Sequence, residues 1–254
     1  MNIFTQILHL IGSSATAYIT ARNLRDWETR PNLLAGFQLA ESGSVPFLEK
    51  LRDRALAEGD SWLAERLSRH AEDEKRHGQI FAHHLQQLNK QVIDFKKIPQ
   101  TPTEGQPEER KRSPFFAAFF EGYTPGQLKP ENIDWLVFLG STYILELDAS
   151  QDFQRMANIL PDTDSRSSNL KKGILSIARD EVRHAAYLKE ALERRLTPIE
   201  AQKIIDRWRQ RKVNALLAMV GGLIERQGQL QALTEDREAP EIQVPPAEPE
   251  LIAV

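Results

Sequence analysis

Two five-residue runs carry the residues best suited to chemistry. Asp73-Glu74-Lys75-Arg76-His77 and Asp180-Glu181-Val182-Arg183-His184 share the pattern Asp-Glu-x-Arg-His. On a helix, a glutamate and a histidine three residues apart stand on one face, so each run can present an oxygen and a nitrogen ligand from the same side. Two further glutamates lie upstream at similar intervals, Glu41 33 residues before Glu74 and Glu146 35 residues before Glu181. Both close apolar runs, from Leu33 to Ala40 and from Val137 to Leu145, where an acid is rarely buried unless it is paired or bound to a metal. Carboxylate oxygens with imidazole nitrogens suit Fe(II) and Mn(II). Four carboxylates balance the charge of two divalent ions. Six protein ligands shared by two metals leave open positions where dioxygen can bind and be reduced. A ligand histidine also needs its other ring nitrogen held. Asp73 and Asp180 are the candidates, in a cross-helix arrangement of Asp73 with His184 and Asp180 with His77.

The elements around these residues must bring them to one level. Gly59 reads as the residue that ends one helix and Asp60 as the N-cap of the next. Glu41 lies about 17 residues before this turn and Glu74 14 after it, so at roughly 1.5 Å per residue the two stand at nearly the same height. Pro161-Asp162-Thr163-Asp164-Ser165 makes the matching turn in the second half, about 15 residues after Glu146 and 16 before Glu181. Two helical hairpins result, over about 31–57 with 61–89 and 132–159 with 167–195, and pairing them converges the four glutamates and two histidines. Pro46, five residues after Glu41, predicts a kink or local irregularity. An apolar stripe over residues 2–24 reads as a helix packed on the bundle, with a homodimer seam or a membrane-surface contact as the alternative. Residues 198–228 read as a fifth long helix. Between the hairpins, residues 91–130 hold six of the fourteen prolines and form a long crossover. Within it, Ser113 to Glu121 is a short helix with four phenylalanines, either a plug over one end of the bundle or an apolar wall of a substrate pocket.

This set resembles the metal motif of the ferritin-like di-iron-carboxylate superfamily, over residues of about 30–195. The resemblance implies an all-α fold, an up-down-down-up four-helix bundle with one long crossover, to which this chain adds N- and C-terminal helices. It also implies roles. Glu41 and His77 would be terminal ligands of one iron, Glu146 and His184 of the other, and Glu74 and Glu181 would bridge. Asp73 and Asp180 would support the ligand histidines, and Arg76 and Arg183 would pair with those aspartates or with the neighbours of a bridging glutamate. The Asp-Glu-x-Arg-His form is similar to that of the oxygen-activating branch, which includes multicomponent monooxygenases and ribonucleotide reductase small subunits. Ala178 to Ala185 is similar to the corresponding motif of the oxidative cyclases of chlorophyll synthesis, although this chain is short for that family.

Composition bounds the remainder. The chain has 254 residues, a net charge of −3 and no cysteine. That excludes disulfides, a rubredoxin-type centre and an iron–sulfur relay within the chain. An external electron donor is therefore expected. The stretch 234–254 carries net −5 and four prolines, and reads as an acidic tail, disordered or loosely docked, after a single domain over 1–233. No strong nucleic-acid footprint appears, no apolar run is long enough to span a membrane, and no basic stretch precedes Ile3–Ile19 as in a secretory signal. A cytoplasmic enzyme is expected. Its cofactor would be two iron ions, Fe/Fe with Mn/Fe as the alternative, and its reactants dioxygen and a small organic or lipid-like substrate. A ferroxidase or peroxide-scavenging protein like bacterioferritin or rubrerythrin is the second reading, and a metal-stabilised scaffold the third.

Several residues need weighing beside the six. His70, on the stripe of Glu74 and His77, has Ile177 as its counterpart in the second half and reads as a polar core residue, with a pocket or proton-transfer role as the alternative. Gln38 and Tyr143, one turn before the upstream glutamates, are placed to line an oxygen pocket. His83 and His84 read as surface residues, and Trp62, Trp135 and Trp208 as packing anchors.

Overall fold

The computed structural model describes residues 18–93, 114–225 and 232–237. The fold is all-α apart from one small ladder. Residues 18–25 form α1, followed by α2 (Arg30–Ala57), α3 (Ser61–Gln87), β1 (Lys90–Val92), α4 (Pro114–Phe119), α5 (Trp135–Ile159), α6 (Ser165–Glu193), α7 (Pro198–Glu225) and β2 (Thr234–Asp236). No helix among the described residues is long and apolar enough to cross a membrane.

Side-chain caps set the helix starts. The Asp60 carboxylate accepts from the Leu63 N–H at 2.9 Å, and Gly59 takes φ +82°, a conformation glycine adopts without the penalty a β-carbon brings. Asp134 accepts from the N–H groups of Leu136 and Val137, and Asp164 from that of Ser167 at 2.7 Å. Thr197 and Glu200 exchange side-chain and backbone bonds across the first turn of α7, a capping box. The turn between α2 and α3 is thereby short, and so is that between α5 and α6.

Two apolar cores and the layer between them define the architecture. One core holds Leu34 of α2, Phe81 of α3, Phe153 of α5 and Ile174 of α6. The other holds Leu51, Leu67, Leu139 and Leu188 of the same four helices. Chain direction follows from these memberships: α2 and α6 run from the first core to the second, and α3 and α5 run back. Every one of the four helices crosses a middle layer, and there each carries a glutamate: Glu41, Glu74, Glu146 and Glu181. α2 packs along α3, α5 along α6, and α3 against α6. α2 and α5 do not close on each other in the same way, and a cavity lies between them.

The additions pack on this frame. α7 lies against α5 and α4, with Trp208 2% exposed and ringed by Phe119, Phe120 and Tyr123 at centroid distances of 5.1, 5.5 and 6.1 Å. In the phenylalanine-rich helix α4, Phe119 joins the second core while Phe116 lines the cavity. Lys212 of α7 forms a buried ion pair with Asp148 of α5.

The structure bears on the expectations for Pro46 and for the acidic stretch. α2 continues through Pro46 without a break. Pro46 and Ser42 are both exposed, so solvent can reach the carbonyl that proline leaves without its helical partner. The first residues of the acidic stretch are docked: β2 pairs antiparallel with β1, Val92 opposite Thr234 and Lys90 opposite Asp236. A three-residue ladder satisfies backbone groups irrespective of the side chains' charge, which composition alone did not convey. The expected helix over 2–24 is seen from residue 18; the rest of it, the crossover over 94–113 and the tail beyond 237 lie outside the described residues.

Gly140 fixes the approach of α5 to α7. A β-carbon there would stand 2.5 Å from Trp208 Cδ1 and 2.6 Å from Ile204 Cγ2. Gly140→Ala is expected to destabilise the fold by about 1–3 kcal/mol through overpacking, read as a lower midpoint in denaturant unfolding; an unchanged midpoint would contradict this close contact.

Candidate metal centre

The middle layer gathers seven ionisable side chains. α3 supplies His70, Glu74 and His77 at positions i, i+4 and i+7 of one stripe, α6 supplies Glu181 and His184, and α2 and α5 supply Glu41 and Glu146. Six of them are buried, with His77 at 0% and Glu41 at 9% exposure the extremes, and the Glu146 side chain is 15% exposed. They form two overlapping donor groups, Glu41-Glu74-His77-Glu181 and His70-Glu74-Glu146-His184, in each of which one donor atom per residue lies within 4.8 Å of the others. Glu74 belongs to both.

The ring nitrogens sort the arrangement. His77 Nδ1 faces Glu41 Oε2 at 3.2 Å and Glu181 Oε1 at 3.3 Å. His184 Nδ1 faces Glu181 Oε2 at 3.2 Å and Glu146 Oε2 at 3.6 Å. Glu181 therefore turns one oxygen to each imidazole, spanning the two groups as Glu74 does. The other nitrogens point away from the carboxylates. His77 Nε2 meets Asp180 Oδ2 at 3.2 Å and His184 Nε2 meets Asp73 Oδ2 at 3.3 Å. Arg76 bonds both Asp73, at 3.0 Å, and Asp180. Arg183 likewise reaches Asp73 at 3.0 Å and Asp180. The two Asp-Glu-x-Arg-His runs thus interlock, each aspartate serving the histidine of the other helix and both arginines. With Nε2 held by an aspartate, each Nδ1 is turned toward the carboxylate cluster.

His70 makes the two groups unequal. Its Nε2 lies 3.3 Å from Glu74 Oε1 and 3.5 Å from Glu146 Oε1, its Nδ1 lies 2.8 Å from the Tyr187 hydroxyl, and its ring stacks on His184 at 3.7 Å. The stripe position of His70 signalled its direction. Tyr187, 117 residues away, and Ser44, whose hydroxyl lies 2.9 Å from Glu74 Oε2, were not singled out. Gln38 and Tyr143 do not line the cavity; Phe37, Ala40 and Thr142 do, and Tyr143 belongs to an apolar core. His84 is buried, not superficial, near Arg30 and Leu170, and burial lowers its pKa.

Electrostatics divides the carboxylates. Burial, with the nearby charge of Glu74, pushes Glu41 up to about 8. Burial and neighbouring Glu146 push Glu181 well above the ordinary range. Burial also works against charge on Glu74, but hydrogen bonds from His70 and His77 hold it down to about 2. Glu146 is likewise held low against burial by Glu181, His184 and His70. Burial disfavours imidazolium, yet the facing carboxylates raise His77 and His184 to about 9, and Tyr187 with Glu146 and Glu74 raises His70 to about 10. The aspartates stay ionised: the bond to His184 lowers Asp73, and Arg76, His77 and Arg183 lower Asp180 against its burial.

These residues fit a pair of divalent cations. The donors are oxygens and imidazole nitrogens, four carboxylates match the metal charge, and the imidazoles are oriented from behind. No protein-family model, no curated protein and no solved structure matches the chain, so the residues of the site carry the functional reading.

Two outcomes are expected. The metal-free site holds protons at pH 7 on groups raised to about 8–10, so divalent metal must displace them and its affinity must rise with pH. Calorimetric titrations in buffers of different ionisation enthalpy should show net proton release; uptake without release would refute this protonation pattern. His70→Ala should weaken one of two metal sites by about 10–100-fold in a chelator competition. Equal retention of both metals would show that His70 is not a ligand.

Proposed function

We propose that the chain is a ferritin-like di-iron oxidase or oxygenase that uses dioxygen to oxidise a small organic or lipid-like substrate. The observation that carries this reading is the pair of donor groups sharing Glu74 at the wall of a cavity of about 410 Å³. A storage or scaffold role has no use for such a cavity beside the metal centre. Glu41, Glu74, His77, Glu146, Glu181 and His184 would hold two iron ions, with His70 available to the second, and Mn/Fe is the alternative pair. When bound, the metals supply the electrons and open coordination positions needed to reduce dioxygen.

The protein's own residues do the rest. Asp73 and Asp180 hold the Nε2–H of His184 and His77, so the imidazoles keep their tautomer and ring orientation. Arg76 and Arg183, whose side chains are 40% and 60% exposed, keep these aspartates ionised from the solvent side. Glu74 and Glu181 span the two positions and fix their separation. The Tyr187 hydroxyl fixes His70 Nδ1 at 2.8 Å, which turns Nε2 toward Glu74 and Glu146. The cores on either side exclude water from this layer, which strengthens every charge interaction within it. With no cysteine in the chain, electrons for repeated turnover come from an external donor.

The test is an anaerobic Fe(II) titration followed by rapid mixing with dioxygen. About two irons per chain, retained after the reaction, are expected. Glu74→Ala should bind one iron or fewer, because both donor groups lose a member. Continued oxidation of many added irons would replace this reading with a ferroxidase, and failure to take up iron would end it.

A further inference from the structure

The cavity beside the centre has a chemistry of its own. Its polar lining is concentrated in the carboxylates and His70 of the centre, with Ser44 bonded to Glu74 and Thr142 one turn before Glu146. The remaining walls are apolar and include Phe37, Phe47, Phe116, Phe138 and Phe153. Phe37 and Phe153 meet edge to face at 5.4 Å, and Phe47 and Phe138 stand 6.1 Å apart. Among the described residues, no lysine or arginine lines it. A charged group held against these walls would lose its hydration with no counter-charge in return, and polar groups spread along a ligand would lose water without replacement bonds. The volume of about 410 Å³ suits one small organic molecule. Ala40 and Phe116 are the exposed members of the lining, which places the mouth between α2 and α4.

We infer that this cavity binds an uncharged, predominantly hydrocarbon molecule, entering between α2 and α4 and reaching the glutamates with its inner end. Its designation as substrate rests on the oxidase reading; its binding does not.

The experiment uses the full chain loaded anaerobically with Fe(II), titrated by calorimetry with 1-octanol and with triethylene glycol, two neutral chains of similar length. One octanol per chain is expected, with triethylene glycol weaker by about a hundred-fold or more, because only octanol gains from transfer of methylenes out of water. Ala149→Phe and, separately, Thr142→Phe should fill the cavity and weaken octanol at least about tenfold, with iron per chain unchanged and helicity intact by circular dichroism. Equal binding of the two probes, or octanol binding indifferent to both folded variants, overturns the inference. Iron uptake without octanol binding also overturns it and leaves the oxidase reading standing. Octanol binding by a chain that takes up no iron supports the cavity assignment and removes only the oxidase reading.

Discussion

Four carboxylates share one layer between two apolar cores, and this constraint organises the molecule. Carboxylates so close and so buried cannot all ionise without compensation. Without metal, protons on Glu41, Glu181 and the imidazoles relieve the charge; with metal, cations would. Either solution needs donors and acceptors locked in place, because an unpaired charge in such a layer costs about 3–5 kcal/mol, a large fraction of the net stability of a domain. The helices that cross the layer therefore serve the cluster as much as the cores, and the cores in turn keep its dielectric low.

Charge is carried outward in steps. The glutamates meet His77 and His184, these meet Asp180 and Asp73, and the aspartates meet Arg76 and Arg183, which reach solvent. Each arginine touches both aspartates, so the ring ties α3 to α6 as well as balancing charge. A single Asp-Glu-x-Arg-His run could not do this, since its aspartate and histidine serve the opposite helix. The duplication is thus a mechanical requirement of the layer, not only a doubling of ligands.

Much of this was legible because it depends on spacing within helices. Asp60 caps where its residue type indicated, the 161–165 turn falls where it was read, and the intervals from Glu41 to Glu74 and from Glu146 to Glu181 brought the four acids to one level. What escaped depends on how helices dock. Tyr187 meets His70 only after the two hairpins pair. The cavity exists because α2 and α5 stand apart, a distance no helical period encodes. Likewise Pro46 could not be judged without knowing that its face is exposed, nor the 234–236 ladder without knowing that Val92 waits opposite Thr234.

The separation of α2 from α5 also divides labour within the bundle. α3 and α6 hold all three imidazoles, both aspartates and both arginines, while α2 and α5 contribute one carboxylate each and supply the cavity walls with the help of Phe116. The apolar cavity walls and the interlocked aspartate–histidine–arginine ring thereby reside on different helices. Substitutions among the apolar wall residues of α2 and α5 can alter the shape of the cavity while the ring that ties α3 to α6 stays intact, so the two features can vary independently.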